Sequence, residues 1–116
     1  MSWKIEFFET PSGRAPVLEW IEGMDEEDMA SALGYIDQLS ELGTEARMPL
    51  AKPLGNKLYE LRWPFGDKQH RIIYFAAPGQ KFVMLNGFVK KRRETPPKEM
   101  QTALRRKREY NQRAKG

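Results

Sequence analysis

The chain of 116 residues has no cysteine, a single histidine and no long apolar run. The lack of cysteine excludes disulfides, thiolate metal sites and a thiol nucleophile, and His70 alone excludes a His-rich metal site. No apolar run approaches the ~20 residues that span a bilayer, and the first residues lack the basic-then-apolar order of a signal peptide. We therefore expect a cytoplasmic protein without a membrane segment.

Two further absences limit the possible phosphate chemistry. No glycine-rich phosphate loop occurs, and the isolated Gly87 is interpreted as a bulge or a close backbone approach within a strand. The second half of the chain has only five scattered acids, which disfavours a two-metal nuclease built on carboxylates. We expect neither a metal nor another cofactor.

The charges are distributed unevenly along the chain. Residues 1–50 carry three cations and eleven acids, whereas residues 51–116 carry seventeen cations and five acids. The two halves thus have net charges of −8 and +12. A half this basic favours a polyanionic partner, of which nucleic acid is the commonest in the cytoplasm. The alternative is that acidic helices neutralise a basic sheet within one fold.

The pattern of residues 57–91 predicts a group of strands at the centre of the molecule. These residues contain three runs rich in β-branched and aromatic residues, separated by turns at Pro64–Asp67 and Pro78–Gly79. Connections this short make the three strands antiparallel. The length and the hydrophobic fraction of 40% indicate one globular domain over residues 1–116.

Alternation along the first of these strands predicts two different faces. Tyr59 and Trp63 point to an apolar face that packs on helices, whereas Glu60 and Arg62 point to the opposite face. We expect that opposite face to be a charged floor of the sheet. Fixed cations on such a floor would bind an anion.

The remaining elements follow from helix start and stop signals and from alternation. They are a first strand at Trp3–Phe8, a helix from Pro16 to Gly23, a helix capped by Asp25 that ends at Leu42, a loop at Thr44–Asn56 and a last helix after Pro97. The predicted fold is α+β, in the order β-α-α-β-β-β-α, with an antiparallel sheet against helices. The acids that begin the second helix are interpreted as a solvated face, because they have no histidine partner in sequence.

Cleavage of a phosphodiester by this chain would have to use Lys, Arg, Tyr or His. RNA permits this, because its 2′-hydroxyl is an internal nucleophile that needs alignment, deprotonation and charge stabilisation. Arg62 is the first candidate for the phosphate, since a guanidinium grips it bidentately. Arg71 either joins Arg62 or forms a buried ion pair with a helix carboxylate, depending on strand register. His70 is interpreted as a partly exposed strand residue.

Four stretches of the chain resemble the RelE/ParE toxin superfamily, and in particular its HigB-like, phage-type branch. The stretches are Lys57–Arg62 (KLYELR), Arg71–Tyr74 (RIIY), Leu85–Lys91 (LNGFVKK) and Pro97–Met100 (PKEM) followed by Ala103. The resemblance implies a compact α+β toxin that is neutralised by a cognate antitoxin, often one with a helix-turn-helix. It also implies ribosome-dependent, metal-independent cleavage of mRNA. The ParE branch inhibits DNA gyrase instead, so a non-enzymatic gyrase inhibitor or nucleic-acid-binding module is the alternative.

The resemblance assigns roles to several basic residues. Arg62 matches the phosphate-binding arginine, Lys52 or Lys57 the basic loop lysines, and Lys91 the basic residue after the last strand. No residue matches the tyrosine that RelE has near its C-terminus, because Tyr110 lies too far along the chain. The catalytic candidates are Arg62, Arg71, Lys91 and Lys57. The candidates for contact with RNA or the ribosome are Lys52, Lys90, Arg92, Arg93, Arg105, Arg106, Lys107 and Arg108.

Overall fold

The fold is α+β, with a five-stranded mixed sheet and three helices. A computed structural model describes residues 2–90 and 94–115. Its elements in chain order are β1 (Lys4–Phe7), α1 (Pro16–Glu22), α2 (Glu26–Leu42), a single 3-10 turn (Gly43–Glu45), β2 (Ala51–Gly55), β3 (Leu58–Phe65), β4 (Lys68–Ala77), β5 (Lys81–Lys90) and α3 (Pro97–Lys115). Within the described ranges, no helix is both long enough and apolar enough to cross a bilayer.

The sheet has the strand order β1-β5-β4-β3-β2. The predicted meander is present as β3, β4 and β5, which pair in an antiparallel manner. β1 pairs in parallel with β5, so the expectation of an antiparallel sheet is wrong at this edge. The reason is that α1 and α2 carry the chain from β1 across one face before it enters the other edge.

Two expectations about the strands need correction. The segment 44–56, expected to be a loop, contains β2 at the edge of the sheet, where a strand tolerates Pro53 because it pairs on one side only. β3 also continues through Pro64 and Phe65, so that the turn to β4 is shorter than expected. β2 pairs only with residues 58–61 of β3, and Pro64 therefore lies beyond its reach.

Both faces of the sheet are covered, which differs from the expected single apolar face. α1 and α2 pack on one face, where Leu61 and Trp63 are fully buried. α3 packs on the opposite face, where Leu58 and Ala103 are fully buried. The face expected to be a charged floor is therefore partly apolar, and one group of its charged side chains lies around Glu60.

Gly87 is a point of close packing between helix and sheet. Its expected role as a close backbone approach is confirmed, since a Cβ there would lie 2.7 Å from Cζ3 of Trp20 in α1. A bulge lies nearby, at the shift in β4–β5 register between Ile73 and Tyr74. The missing side chain leaves room for the Trp20 ring against β5.

His70 lies in the core under α1 and α2, so its interpretation as partly exposed is wrong. The side chain is 1% exposed and stacks on Trp63, with the ring centroids 5.3 Å apart. Its Nε2 lies 3.4 Å from Oδ1 of Asp28, which is also buried and therefore not part of a solvated face. Burial lowers the pKa of His70; Asp28 opposes this, and Lys68 and Arg71 reinforce it.

We predict that Gly87→Ala destabilises the fold by about 1–3 kcal/mol, because the new methyl overlaps the Trp20 ring. Gly34→Ala is the matched control: Gly34 lies within α2, and a Cβ there would meet nothing within 4 Å. This control should gain up to about 1 kcal/mol from helix propensity. Urea denaturation measures both. Equal stability of the two variants would contradict the close packing at Gly87.

We also predict that the free energy of unfolding falls as the pH is lowered from about 6.5. The unfolded chain binds a proton at its only histidine in this range, whereas burial keeps His70 neutral in the fold. This loss of stability should level off below the pKa that His70 has in the folded protein. It should be absent in His70→Gln. Urea denaturation of both proteins between pH 7.5 and 5.0 measures the difference. A relative gain by the wild type at low pH would show that the Asp28 ion pair outweighs burial.

Candidate functional site: a cation cluster around Glu60

Strand register gathers basic side chains around one acid on the α3 face. Lys52 of β2 lies opposite Glu60 of β3, and Arg62 lies opposite Arg71 of β4. Directly opposite residues of an antiparallel pair share a face, so these four side chains point the same way. Lys90, near the end of β5, joins them from beyond Arg71.

The Glu60 carboxylate is the centre of this cluster, which we call the Glu60 cluster (Lys52, Glu60, Arg62, Arg71, Lys90 and Thr95). Oε1 of Glu60 lies 3.3 Å from Nε of Arg71, 3.7 Å from Nε of Arg62 and 3.9 Å from Nζ of Lys90. Oε2 accepts a 2.7 Å hydrogen bond from the Thr95 hydroxyl. One oxygen therefore faces three cations while the other is held in place.

The members of the Glu60 cluster differ sharply in exposure. The side chain of Glu60 is 0% exposed, Lys90 3% and Arg71 6%, whereas Arg62 is 23% exposed. Lys52 is half-buried. An external anion would therefore meet Arg62 and Lys52 first, with Arg71 and Lys90 behind them.

Burial and mutual repulsion both act on the cations of the cluster. Burial lowers the pKa of Lys90 most; Glu60 opposes this, and Arg71, Arg62 and Lys52 lower it further. Burial also lowers the pKa of Arg71, and Arg62 adds to that effect. Four cations share one acid, so the cluster attracts a further negative group. An oxyanion such as a phosphate would supply this negative charge, whereas a metal cation would be repelled.

The structure shows which of two roles Arg71 has: a place beside Arg62 or a buried ion pair with a carboxylate. It lies on the same face as Arg62, and it is also a buried ion-pair partner. The carboxylate is that of Glu60 on the neighbouring strand, not one on a helix. Nη1 of Arg71 donates a 2.8 Å hydrogen bond to the His70 carbonyl, which fixes the guanidinium within the protein.

Lys57 lies apart from the cluster. It occupies the turn between β2 and β3, is exposed and has a φ of 59°. Five residues of extended strand separate it from Arg62, which corresponds to about 16 Å. Its cationic neighbour is Lys107 of α3, whose pKa is lowered mainly by burial and also by Lys57.

The four basic residues of α3 that are candidates for RNA contact divide into two pairs. Arg106 donates a 2.8 Å hydrogen bond to the Leu85 carbonyl, and Lys107 donates one of 2.8 Å to the Asn56 carbonyl. Both side chains therefore help to hold α3 on the sheet. Arg105 and Arg108 are exposed to solvent. The candidates Lys91, Arg92 and Arg93 lie outside the described residues.

Sequence reasoning missed Glu60 and Thr95 as members of the site. Glu60 was assigned only a polar position on the strand. The signal that points to it is the alternation in β3, because Glu60 and Arg62 occupy the same face two residues apart. Thr95 precedes two prolines at the start of α3, and nothing in the local sequence points to a contact with β3.

Ion pairs within the described ranges do little to join the acidic half to the basic half. Lys81 Nζ lies 3.6 Å from Glu6 Oε1, and this is the one Lys or Arg pair there that links residues 1–50 to the rest. The other Lys and Arg pairs of the described residues form within each half, as between Arg14 and Glu19. The basic surface therefore keeps most of its charge for an external partner.

A separate cavity of about 650 Å³ lies on the opposite face of the sheet, beside the 3-10 turn. Tyr59, Tyr74, Phe82 and Met48 are among its lining residues. Its walls are mainly apolar, and Arg47 is its one basic lining residue. It is thus less suited to hold a phosphate than the Glu60 cluster.

Comparison with known proteins identifies the family. No curated protein matches the chain. Residues 19–108 match the model of a family described as phage-derived protein Gp49-like (DUF891). The match spans most of the chain, from α1 to α3, and includes every member of the Glu60 cluster. The chain therefore belongs to the phage-derived Gp49-like family, a family of RelE/HigB-like toxins.

Proposed function

We propose that this protein is the toxin of a type II toxin–antitoxin system, in the HigB-like branch, and that it is a ribosome-dependent, metal-independent endoribonuclease acting on mRNA in the cytoplasm. The observation that supports the activity is the Glu60 cluster, with its excess of cations and its partly exposed arginine. Membership of a toxin family supports the biological role.

The proposed reaction uses the RNA's own nucleophile. The 2′-hydroxyl loses its proton and its oxygen attacks the adjacent phosphorus. The bond from phosphorus to the 5′-oxygen of the next nucleotide then breaks. The products are a 2′,3′-cyclic phosphate and a 5′-hydroxyl, and the 5′-oxygen takes up a proton as it leaves.

Arg62 would contribute by binding the scissile phosphate. Negative charge accumulates on the non-bridging oxygens in the transition state, and a fixed guanidinium stabilises that charge more than it stabilises the ground state. Lys52, a half-buried member of the cluster, would add a second positive charge. Arg71 is too deeply buried to contact RNA in this conformation, so it would act through the positive electrostatic potential of the cluster.

The exposed cations of α3 suit a supporting role. Arg105 and Arg108 point to solvent and would contact RNA or ribosomal phosphates outside the cleavage site. Such contacts depend on charge and not on an exact geometry. They should therefore contribute to affinity more than to the rate of the chemical step.

A toxin of this family has an antitoxin partner. We propose that the antitoxin is of the helix-turn-helix type and covers part of the basic surface with acidic residues. Charge complementarity of this kind speeds association and makes it sensitive to salt. The net charge of +12 on residues 51–116 supports this expectation.

We predict that Arg62→Ala abolishes toxicity and lowers mRNA cleavage by about 100- to 1,000-fold, the usual effect of removing one preorganised donor. Arg14→Ala is the matched control, since it removes an exposed arginine whose partner is Glu19 on α1. The control should retain cleavage and toxicity. Growth arrest and mapping of transcript 5′ ends measure both variants, and circular dichroism checks that they are folded.

Three outcomes of this comparison are informative. Cuts within codons that disappear only in Arg62→Ala support the nuclease. Growth arrest by the wild type with intact transcripts and poorly supercoiled plasmid would favour a gyrase inhibitor instead. Full cleavage by folded Arg62→Ala would show that the phosphate is bound elsewhere.

A further inference from the structure

We infer that Glu60 is a positioning residue that holds Arg62 in the orientation needed for an external phosphate, and that Thr95 orients Glu60. The consequence for cleavage rests on the proposed function, whereas the effect on the Arg62 side chain does not. The inference draws on the burial of Glu60, its two separately engaged oxygens and the unequal exposure of its cationic partners.

Burial excludes a direct role for Glu60 in the reaction. Its side chain is 0% exposed, and its Oε1 is surrounded by Nε of Arg62, Nε of Arg71 and Nζ of Lys90. A carboxylate in this position cannot reach a 2′-hydroxyl without dismantling the cluster. Glu60 must therefore act through the residues that it contacts.

The two oxygens of Glu60 have different partners. Oε2 accepts the hydrogen bond from the Thr95 hydroxyl, which fixes the plane of the carboxylate. Oε1 is then directed at the three cations. Thr95 lies just before α3, so the position of Glu60 is also coupled to the docking of that helix.

The three cations in contact with Glu60 differ in their freedom to move. Arg71 donates to the His70 carbonyl, and Lys90 is nearly fully buried. Arg62 is the most exposed of the three, and its nearest contact with Glu60 is the 3.7 Å ion pair at Nε, which is not a hydrogen bond. The four N–H groups on its Nη atoms are therefore not engaged by Glu60. Without the carboxylate, repulsion from Arg71 and Lys90 would drive Arg62 towards solvent.

The test compares Glu60→Gln, Thr95→Val and the wild type. Gln has nearly the same shape as Glu but lacks the charge, and Val removes the Thr95 hydroxyl while leaving every charge in place. Glu6→Gln is the matched control, because it makes the same chemical change at the Lys81 ion pair. Lys81 and Lys90 stand at opposite ends of β5, about 30 Å apart along the strand.

The first readout is the motion of the arginine side chains, measured by ¹⁵N relaxation at Nε. We expect Arg62 Nε to be ordered in the wild type and in Glu6→Gln, mobile in Glu60→Gln, and intermediate in Thr95→Val. Arg106 serves as an internal reference, because it donates to the Leu85 carbonyl and none of its hydrogen bonds involves Glu60. An ordered Arg62 in folded Glu60→Gln would overturn the inference, whether or not the wild type cleaves RNA.

The second readout is single-turnover cleavage on programmed ribosomes with toxin in excess. Misplacement of a catalytic group by about 1 Å can cost about 100-fold in rate, so we expect the maximal rate of Glu60→Gln to fall by about that factor. The toxin concentration giving half-maximal rate should not rise, because removing an acid leaves the surface more basic. Thr95→Val should show the same change to a smaller degree.

This design separates a positioning role from a merely structural one. A partly unfolded variant has fewer active molecules, which raises the half-maximal concentration but leaves the maximal rate unchanged when toxin is in excess. That result for Glu60→Gln and Thr95→Val would contradict positioning. If the wild type cleaves nothing while Arg62 becomes mobile in Glu60→Gln, the positioning role of Glu60 is supported and the proposed nuclease activity is contradicted.

Discussion

The interaction on which this structure depends is the contact of one buried carboxylate with three cations. Arg71 and Lys90 have lost much of their hydration, and Glu60 is the acid that offsets their charge. Removing one partner of a buried ion pair typically costs about 3–5 kcal/mol, because the other charge stays buried and unpaired. Here two buried cations would be left, so the geometry of Arg62 and the stability of this end of the sheet both depend on Glu60.

The rest of the fold makes that burial possible. α3 covers one part of its face of the sheet with Ala103 and neighbouring apolar residues, and the Glu60 cluster occupies the adjoining part. β2 at the edge brings Lys52 opposite Glu60. α1 and α2, which carry seven of the eleven acids of residues 1–50, pack on the other face. The sheet thus separates acidic helices from a basic surface, and the net charge of the second half remains available to a polyanion.

Much of this arrangement is predictable from the sequence. The parts that are not predictable depend on contacts between segments that are not adjacent in the chain. Alternation along β3 placed Arg62 correctly relative to Trp63, because strand periodicity is local. The face of Arg71 depended on the β3–β4 register, and a slip of one residue reverses it. The burial of His70 depends on α1 and α2, and the contacts of Glu60 come from Arg71, Lys90 and Thr95, none of which alternation along β3 reveals. β2 was missed because proline and glycine rules describe central strands better than edge strands.

We propose that the basic surface around Glu60 aligns RNA for attack by its own 2′-hydroxyl. The most direct measurement uses ribosome-bound mRNA with either ribose or 2′-deoxyribose at the nucleotide before the cut. We expect cleavage of the ribose substrate alone, with a 2′,3′-cyclic phosphate and a 5′-hydroxyl at the new ends. Cleavage of both substrates, or a 5′-phosphate on the product, would show that water attacks instead and would contradict the account.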